Sequence, residues 1–388
     1  MNIAFLNHGY LVQRECLAAL HRRSDVSLCV INTEPFPSEA QADATCAELE
    51  KRDIHALLTI NDWGMDIRGA IAAFLDRRNR VHANWCTDDP FFVGIMLGTT
   101  PAPHAGRIDF VTDRSYLPPL HQQGFTPLFL PLAADPHLFS PASPPLPFAR
   151  SCAFVGNSYF EDLFGKYAKG HEDYLEAATP LISHQARCCI TAMTHNPEPA
   201  LLDYCTATPP PPELSFNKAV FLLLHAVGYF VRKELVTGLA GRHADCIVFG
   251  DAYWASYLPA AQVSMGVAYY DNLSATYQQT RVNIDINRMV IRQGFTQRVM
   301  DCLACCAFVL TSEKTVVNEF FTTGTSGHLD VYRCRDELYH KVDWYLAHEE
   351  VRKKIAARGR ELILTAHTYR HRIETILQKC RTLLSGRK

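Results

Sequence analysis

Four groups of polar residues in this 388-residue chain have types and spacings suited to chemistry. His8 and Gly9 end the apolar run NIAFLN, and Asp88-Asp89 come shortly after Asn84-Trp85. A carboxylate within hydrogen-bonding reach of a reacting hydroxyl acts as a general base, which makes Asp88 and Asp89 the acid–base candidates. Gly156-Asn157-Ser158 follow the apolar SCAFV and precede a helical stretch. Backbone N–H groups at such a turn bind anions of the phosphate type. The fourth group lies in GFTQRVMDCLACCAFVLT (Gly294–Thr311), where Arg298 and Asp301 share a helical pattern with Val299, Cys302 and Leu303. A guanidinium there is suited to gripping an anion such as phosphate through two parallel hydrogen bonds. Each group also has a plainer reading. Asp88-Asp89-Pro90 and Gly156-Asn157 are good turn sequences; His8 suits a hydrogen-bonded scaffold, and Arg298 suits a surface pair with Asp301.

The composition allows a scaffold large enough to hold these groups. The length exceeds the ~250–300 residues at which one hydrophobic core stops growing, so two domains are expected. Hydrophobic residues make up 48% and charged residues 20%, which describes a globular chain with a sizeable core. A formal charge of −2 gives no footprint of a nucleic-acid binder, although the chain closes on the basic Arg387 and Lys388. The most apolar stretch, Ala219–Val231, covers 13 residues against the ~20 needed to span a bilayer, so it reads as a buried helix and no transmembrane segment is expected. MNIAFLNHGY has no signal-peptide pattern and reads as a first strand. The 14 cysteines are dispersed, and none of their spacings reads as a zinc site, a redox dithiol or a disulfide scaffold. Cysteines used as small hydrophobes fit a reducing cytoplasm, and no metal site is expected.

The elements that must position the four groups alternate in type. Strand-like runs begin at NIAFLN and recur as SLCVIN, ALLTIN, RVHANW, IDFVTD and PLFLPL, with helical patterns such as QRECLAALHRR between them. Five prolines between Pro136 and Pro147 mark a linker. A second series follows: SCAFV, DCIVFGD, QVSMGVA, RVNIDIN, AFVLT and HLDVYR, with a mainly helical stretch between the first two. Near-continuous apolar strands alternating with helices imply parallel sheets covered on both faces, with ligands beyond the carboxyl ends of the strands. The expected organisation is an α/β chain with a Rossmann-like domain over 1–138 and a linker over 139–150. A second Rossmann-like domain spans 151–365 with a helical insertion at about 160–240, and a C-terminal helix covers 366–388.

Several spaced motifs resemble the CgeB-like family of bacterial glycosyltransferases, related to the retaining glycosyltransferase family four. They are TINDWGMD (Thr59–Asp66), NWCTDDPF (Asn84–Phe91), AFVGNS, VFGDAYW (Val248–Trp254) and YYDNLSATYQQTRVNIDIN (Tyr269–Asn287). GFTQRVMDCLACCAFVLT, NEFF..G (Asn318–Gly324) and HTYRHR (His367–Arg372) complete the series in order, covering nearly the whole chain except 160–240. The resemblance implies a GT-B fold, two Rossmann-like domains facing a central cleft, and metal-independent transfer from a nucleotide sugar with no cofactor. It implies a nucleotide sugar in the second domain and an acceptor, a protein of the flagellin type or a surface glycan, in the first. By the same resemblance Asp301 falls at the ribose-binding carboxylate, and Gln293, beside Gly294, at the sugar contact, where the related enzymes have Glu. Glu319 is a further ribose or nucleotide candidate. Cys306 stands where the related enzymes have Gly.

A general base among Asp88, Asp89 and His8 suits inversion, whereas retention lets the donor phosphate take the proton; the sequence leaves both open. A sugar-nucleotide epimerase or hydrolase, and a nucleotide-sugar-binding assembly protein without chemistry, share this architecture and remain alternatives.

Overall fold

The computed structural model describes residues 1–91, 94 and 102–386, so the basic Arg387 and Lys388 lie outside it. The chain forms two compact units, one of Met1–Ala133 with Ala366–Lys388 and one of Ala134–Thr365. The first unit contains a six-stranded sheet built from β1 (Asn2–Asn7), β2 (Ser27–Asn32), β3 (Ala56–Ile60), β4 (Val81–Cys86), β5 (Arg107–Val111) and β6 (Pro127–Phe129). Its order is β2-β1-β3-β4-β5-β6, and every pairing is parallel. The alternation of β4 shows how sequence selects the two faces. Val81, Ala83 and Trp85 enter one core, while His82 and Asn84 enter a buried polar layer with Thr59, Arg107 and Asp109.

The final helix, Tyr369–Ser385, belongs to this unit. Tyr369, Ile373, Ile376, Leu377 and Cys380 recur at helical spacing and join the core of Ile3, Phe5, Leu20 and Trp85. Each fully buried Ile or Leu contributes about 1.5–3 kcal/mol. Arg372 anchors the helix start by donating to the carbonyls of Pro131 (2.7 Å) and Leu132 (2.9 Å).

The second unit has β7 (Arg150–Val155), β8 (Ile247–Gly250), β9 (Val263–Met265), β10 (Thr280–Asp285), β11 (Val309–Ser312) and β12 (Asp330–Tyr332). Their order is β12-β11-β10-β7-β8-β9, again all parallel. Between β7 and β8 lies the helical stretch, ending in the 27-residue helix Phe216–Arg242 that contains the apolar run Ala219–Val231. Among the described residues no helix is long and apolar enough to cross a membrane. The proline-rich stretch groups with the second unit: Gln278 accepts from Ala142 N (2.6 Å) and donates to Ser140 O (3.0 Å). All 14 cysteines are free thiols, most of them buried.

The turn that carries Cys305-Cys306 is a helix cap. Helix Gln297–Ala304 closes with Cys306 N donating to Leu303 O (3.0 Å) and Ala307 N to Cys302 O (2.9 Å). That pair of bonds is the Schellman motif, whose left-handed position favours Gly. Here it is Cys306, at φ 57°.

Candidate active site

In a doubly wound sheet, ligands bind beyond the carboxyl strand ends where the strand order reverses. The second sheet reverses between β7 and β10, and the first between β1 and β3. Both reversals carry polar clusters.

At the β7/β10 reversal, Asp285 ends β10 and is fully buried. Its carboxylate accepts from the hydroxyls of Thr296 and Thr311, both at 2.7 Å, and pairs with Arg298. Arg298 also donates to the carbonyl of Val155, tying the end of β7 to β10. Burial works against its positive charge, but Asp285, Tyr277 and Cys302 together raise its pKa. Arg232, from the long helix, makes a second tie: its guanidinium donates to Asn157 O (2.8 Å) and Ile286 O (3.3 Å), and lies 3.8 Å above the Tyr159 ring. Burial lowers the Arg232 pKa, the Tyr159 ring partly offsets this, and the charges of Arg298 and Arg288 lower it further. Two guanidinium groups, Arg232 and Arg298, against the one carboxylate of Asp285 leave a positive surplus. Four buried polar atoms here have no hydrogen-bond partner: Nε of Arg232, Nε of Arg298, Tyr159 OH and Oδ1 of Asn287. Such atoms cost about 1–3 kcal/mol each unless a ligand or solvent meets them. Tyr159 itself is held at φ 72°, a conformation an L-residue adopts only when its surroundings impose it.

The loop residues are placed differently from the arginines. Gly156 N donates to Phe249 O (2.8 Å), and Ser158 N (2.6 Å) and Oγ (2.9 Å) donate to Asp251. Two of the three loop amides are thus committed within the fold, and the side-chain cations are the stronger anion-binding equipment. Gly250 permits this packing, because a Cβ there would lie 2.4 Å from Gly156 O and 2.7 Å from Trp254. Trp254, fully buried, donates to the same carbonyl (2.9 Å).

Arg298 does not pair with Asp301 as the surface reading has it; it turns to Asp285. Asp301 is 1% exposed and accepts from Tyr269 OH (2.9 Å) and Gln297 Nε2 (2.8 Å). Gln293 and Gly294 are fixed through their carbonyls, by Val316 N (2.9 Å) and Asn287 Nδ2 (3.2 Å). Glu319 is exposed on helix Thr315–Phe320.

At the β1/β3 reversal, Asp88 Oδ2 accepts from Tyr10 OH (2.7 Å) and Asn61 Nδ2 (2.9 Å). Asn61 Oδ1 in turn accepts from the amides of Thr87 (2.8 Å) and Asp88 (3.2 Å). Gln13 Oε1 gathers the amides of His8, Gly9 and Tyr10 at 3.0–3.2 Å, and so shapes the loop after β1. Burial lowers the His8 pKa, partly offset by a backbone hydrogen bond and Glu34. The structure therefore brings His8 and Asp88 together through Tyr10. Asp89 instead accepts from Phe91 N (2.9 Å) and caps the following turn.

The sequence reading passed over Asp285, Arg232 and Tyr10. For Arg232 the available signal was its place among Val227, Gly228, Val231 and Leu235, the buried positions of its helix.

Residues 232–378 match the family model described as Glycosyl transferase-like. No curated protein matches the chain. Among solved structures, the chain resembles sucrose-phosphate synthase (tll1590) from Thermosynechococcus elongatus over 100% of both chains, with a TM-score of 0.55 at 11% identity. It also resembles AviGT4, a glycosyltransferase involved in avilamycin A biosynthesis, over 100% of this chain and 98% of that one (TM-score 0.53, 11% identity). Anabaena Alr3699/HepE in complex with UDP-glucose matches over 100% of both chains (TM-score 0.51, 11% identity). Identities this low speak to the fold, which is the two-sheet α/β arrangement of GT-B proteins. With the matched domain, the class is a glycosyltransferase enzyme.

Proposed function

We propose that the chain, as a metal-independent enzyme of the CgeB-like type acting in the cytoplasm, transfers a sugar from a nucleoside-diphosphate sugar to an acceptor hydroxyl. The observation that carries the donor assignment is the arginine pair at the β7/β10 reversal, Arg232 buried and Arg298 partly buried, with their unpartnered Nε atoms and surplus positive charge. Charge developing on a leaving diphosphate is stabilised by such fixed cations in a water-poor site. That the neighbour Alr3699/HepE is described in complex with UDP-glucose supports a donor of this kind. In this reading Asp301 and Glu319 contact the nucleoside, Gln293 and Gly294 border the transferred sugar, and Asn157 N is the loop amide that meets phosphate.

On the acceptor side, Asp88 is oriented by Tyr10 and Asn61 to take a hydroxyl proton if configuration inverts, with His8 beside it. A second reading, a nucleotide-sugar-binding protein without transfer, draws on one feature: the neutral amide of Gln293.

Product analysis tests the proposal. Full-length protein is incubated with each of several nucleotide sugars, with and without a lysate fraction supplying acceptor, in the presence of EDTA. Sugar appearing on an acceptor supports transfer without metal. Epimerised or hydrolysed donor without acceptor identifies the epimerase or hydrolase class, and binding with no product favours the non-catalytic reading.

A further inference from the structure

The β1/β3 reversal has a composition opposite to that of the donor cluster, and it selects a ligand class. Aromatic rings cluster there. His8 and Trp63 meet edge to face at 5.5 Å, Tyr10 and Trp63 lie 6.2 Å apart, and Phe36 packs on Trp63 at 5.1 Å. Phe36 is 43% exposed, so the cluster reaches the surface of the unit. Within it, His8 Nε2 and Trp63 Nε1 are buried without a hydrogen-bond partner, whereas Asp62 Oδ1 faces the fully buried His82 Nε2 at 3.7 Å. Asp62 is 6% exposed. Two orphaned polar atoms at one strand edge mark a place built for a polar ligand.

The backbone is held there in conformations side chains rarely adopt: Val12 at φ 77°, Asn61 at 54° and Asp62 at 56°. Strain of this sort persists where the surroundings impose it and gathers at ligand sites. Asp62 is fixed from below, its amide donating to Asn84 Oδ1 (2.9 Å) and its Oδ2 accepting from Arg107 (2.6 Å).

Charge completes the selection. Asp88 is hydrogen-bonded into the cluster through Tyr10, Glu34 acts on His8 electrostatically, and Asp62 belongs to the buried polar layer with Arg107. The cation of this network, Arg107, is already held by Asp62 and Asp109. An anionic group would meet like charge. A neutral sugar ring fits instead. Its C–H faces pack on the negative faces of aromatic rings, and its hydroxyls both donate to carboxylates and accept from N–H groups.

We propose that the cluster of His8, Tyr10, Phe36 and Trp63, with Asp88, is a subsite for a neutral pyranose. The acceptor is then an uncharged glycan rather than a peptide or a phosphate-bearing polymer. The word acceptor rests on the glycosyl-transfer reading, but sugar binding at this edge does not.

Saturation-transfer NMR tests it on the full chain without nucleotide, so a failed donor assignment cannot mask or mimic the result. The probes are methyl glucoside, methyl galactoside, N-acetylglucosamine and maltotriose, against glucose 6-phosphate and a serine-rich peptide. At least one neutral sugar should bind saturably, at least tenfold more tightly than glucose 6-phosphate or the peptide. Trp63→Ala should weaken that binding at least tenfold. Trp63→Phe keeps a ring but loses the indole N–H, guards against misfolding, and should weaken it roughly three- to tenfold. Preference for the phosphate or the peptide, no binding of any neutral sugar, or full binding by either folded Trp63 variant would overturn the proposal.

Discussion

Arg298 holds Asp285 and, in the proposed function, also grips the donor diphosphate, and a paired substitution separates the two roles. Arg298→Met leaves the fully buried Asp285 carboxylate without its cation. Removing one partner of a buried ion pair costs about 3–5 kcal/mol. The hydroxyls of Thr296 and Thr311 still donate to Asp285, which points to the lower end, about 3 kcal/mol. Adding Asp285→Asn removes the stranded charge while its amide oxygen continues to accept from a threonine, so the double variant should lie within about 1 kcal/mol of the wild type. Binding should not recover. A hydrogen bond to a charged group contributes about 1.5–3 kcal/mol, so a nucleoside diphosphate should bind the double variant roughly 10- to 100-fold more weakly. Urea denaturation reads the first quantity and isothermal calorimetry the second. A double variant that binds the diphosphate like the wild type would refute the donor role of Arg298. A single variant destabilised by less than about 1 kcal/mol would refute the account of Asp285.

His225, packed among Tyr159, Tyr167 and Phe221, has its pKa lowered to about 4, chiefly by burial and then by Arg288. Between its ordinary pKa of 6.5 and about 4 the unfolded chain takes up a proton that the folded chain refuses. Stability is therefore full above pH 6.5 and falls by ~1.4 kcal/mol per unit below it, up to about 3 kcal/mol by pH 4; His225→Phe should flatten that acid slope in denaturation curves. Cys306→Gly relieves a left-handed L-residue worth about 1 kcal/mol, partly offset by glycine's extra freedom when unfolded, for a net gain of about 0.5 kcal/mol. Cys306→Ala, by the same measurement, should give no gain. Asp88→Asn should lower kcat roughly 10²- to 10⁴-fold if configuration inverts, with KM for the donor little changed; an unaltered kcat would assign the proton to the donor phosphate.

All twelve strands were legible in the sequence because both sheets are parallel and doubly covered, so each strand is a short apolar run between helical patterns. The two switch points follow from strand order, which local pattern does not encode. The placement of polar residues was legible where it is local, as in Asp88 just past the end of β4 and the Gly156 turn after β7. It was hidden where partners meet from afar. Arg298 faces Val155 from 143 positions away, and Arg232 reaches Asn157 across 75. Helical spacing set Arg298 beside Asp301, but the side chain follows the buried carboxylate of Asp285, whose pull only the folded sheet reveals. The question posed by Cys306 was answered by hydrogen bonds: a Schellman cap closes the helix, and the chain adopts the left-handed turn without its usual glycine.

The most direct measurement of the central claim is a crystal structure after soaking with a mixture of nucleotide sugars. The expected result is a nucleoside diphosphate beyond the carboxyl ends of β7 and β10, with phosphate oxygens about 3 Å from guanidinium nitrogens of Arg298 or Arg232. A nucleotide bound at any other edge, or a diphosphate that neither arginine touches, would contradict it.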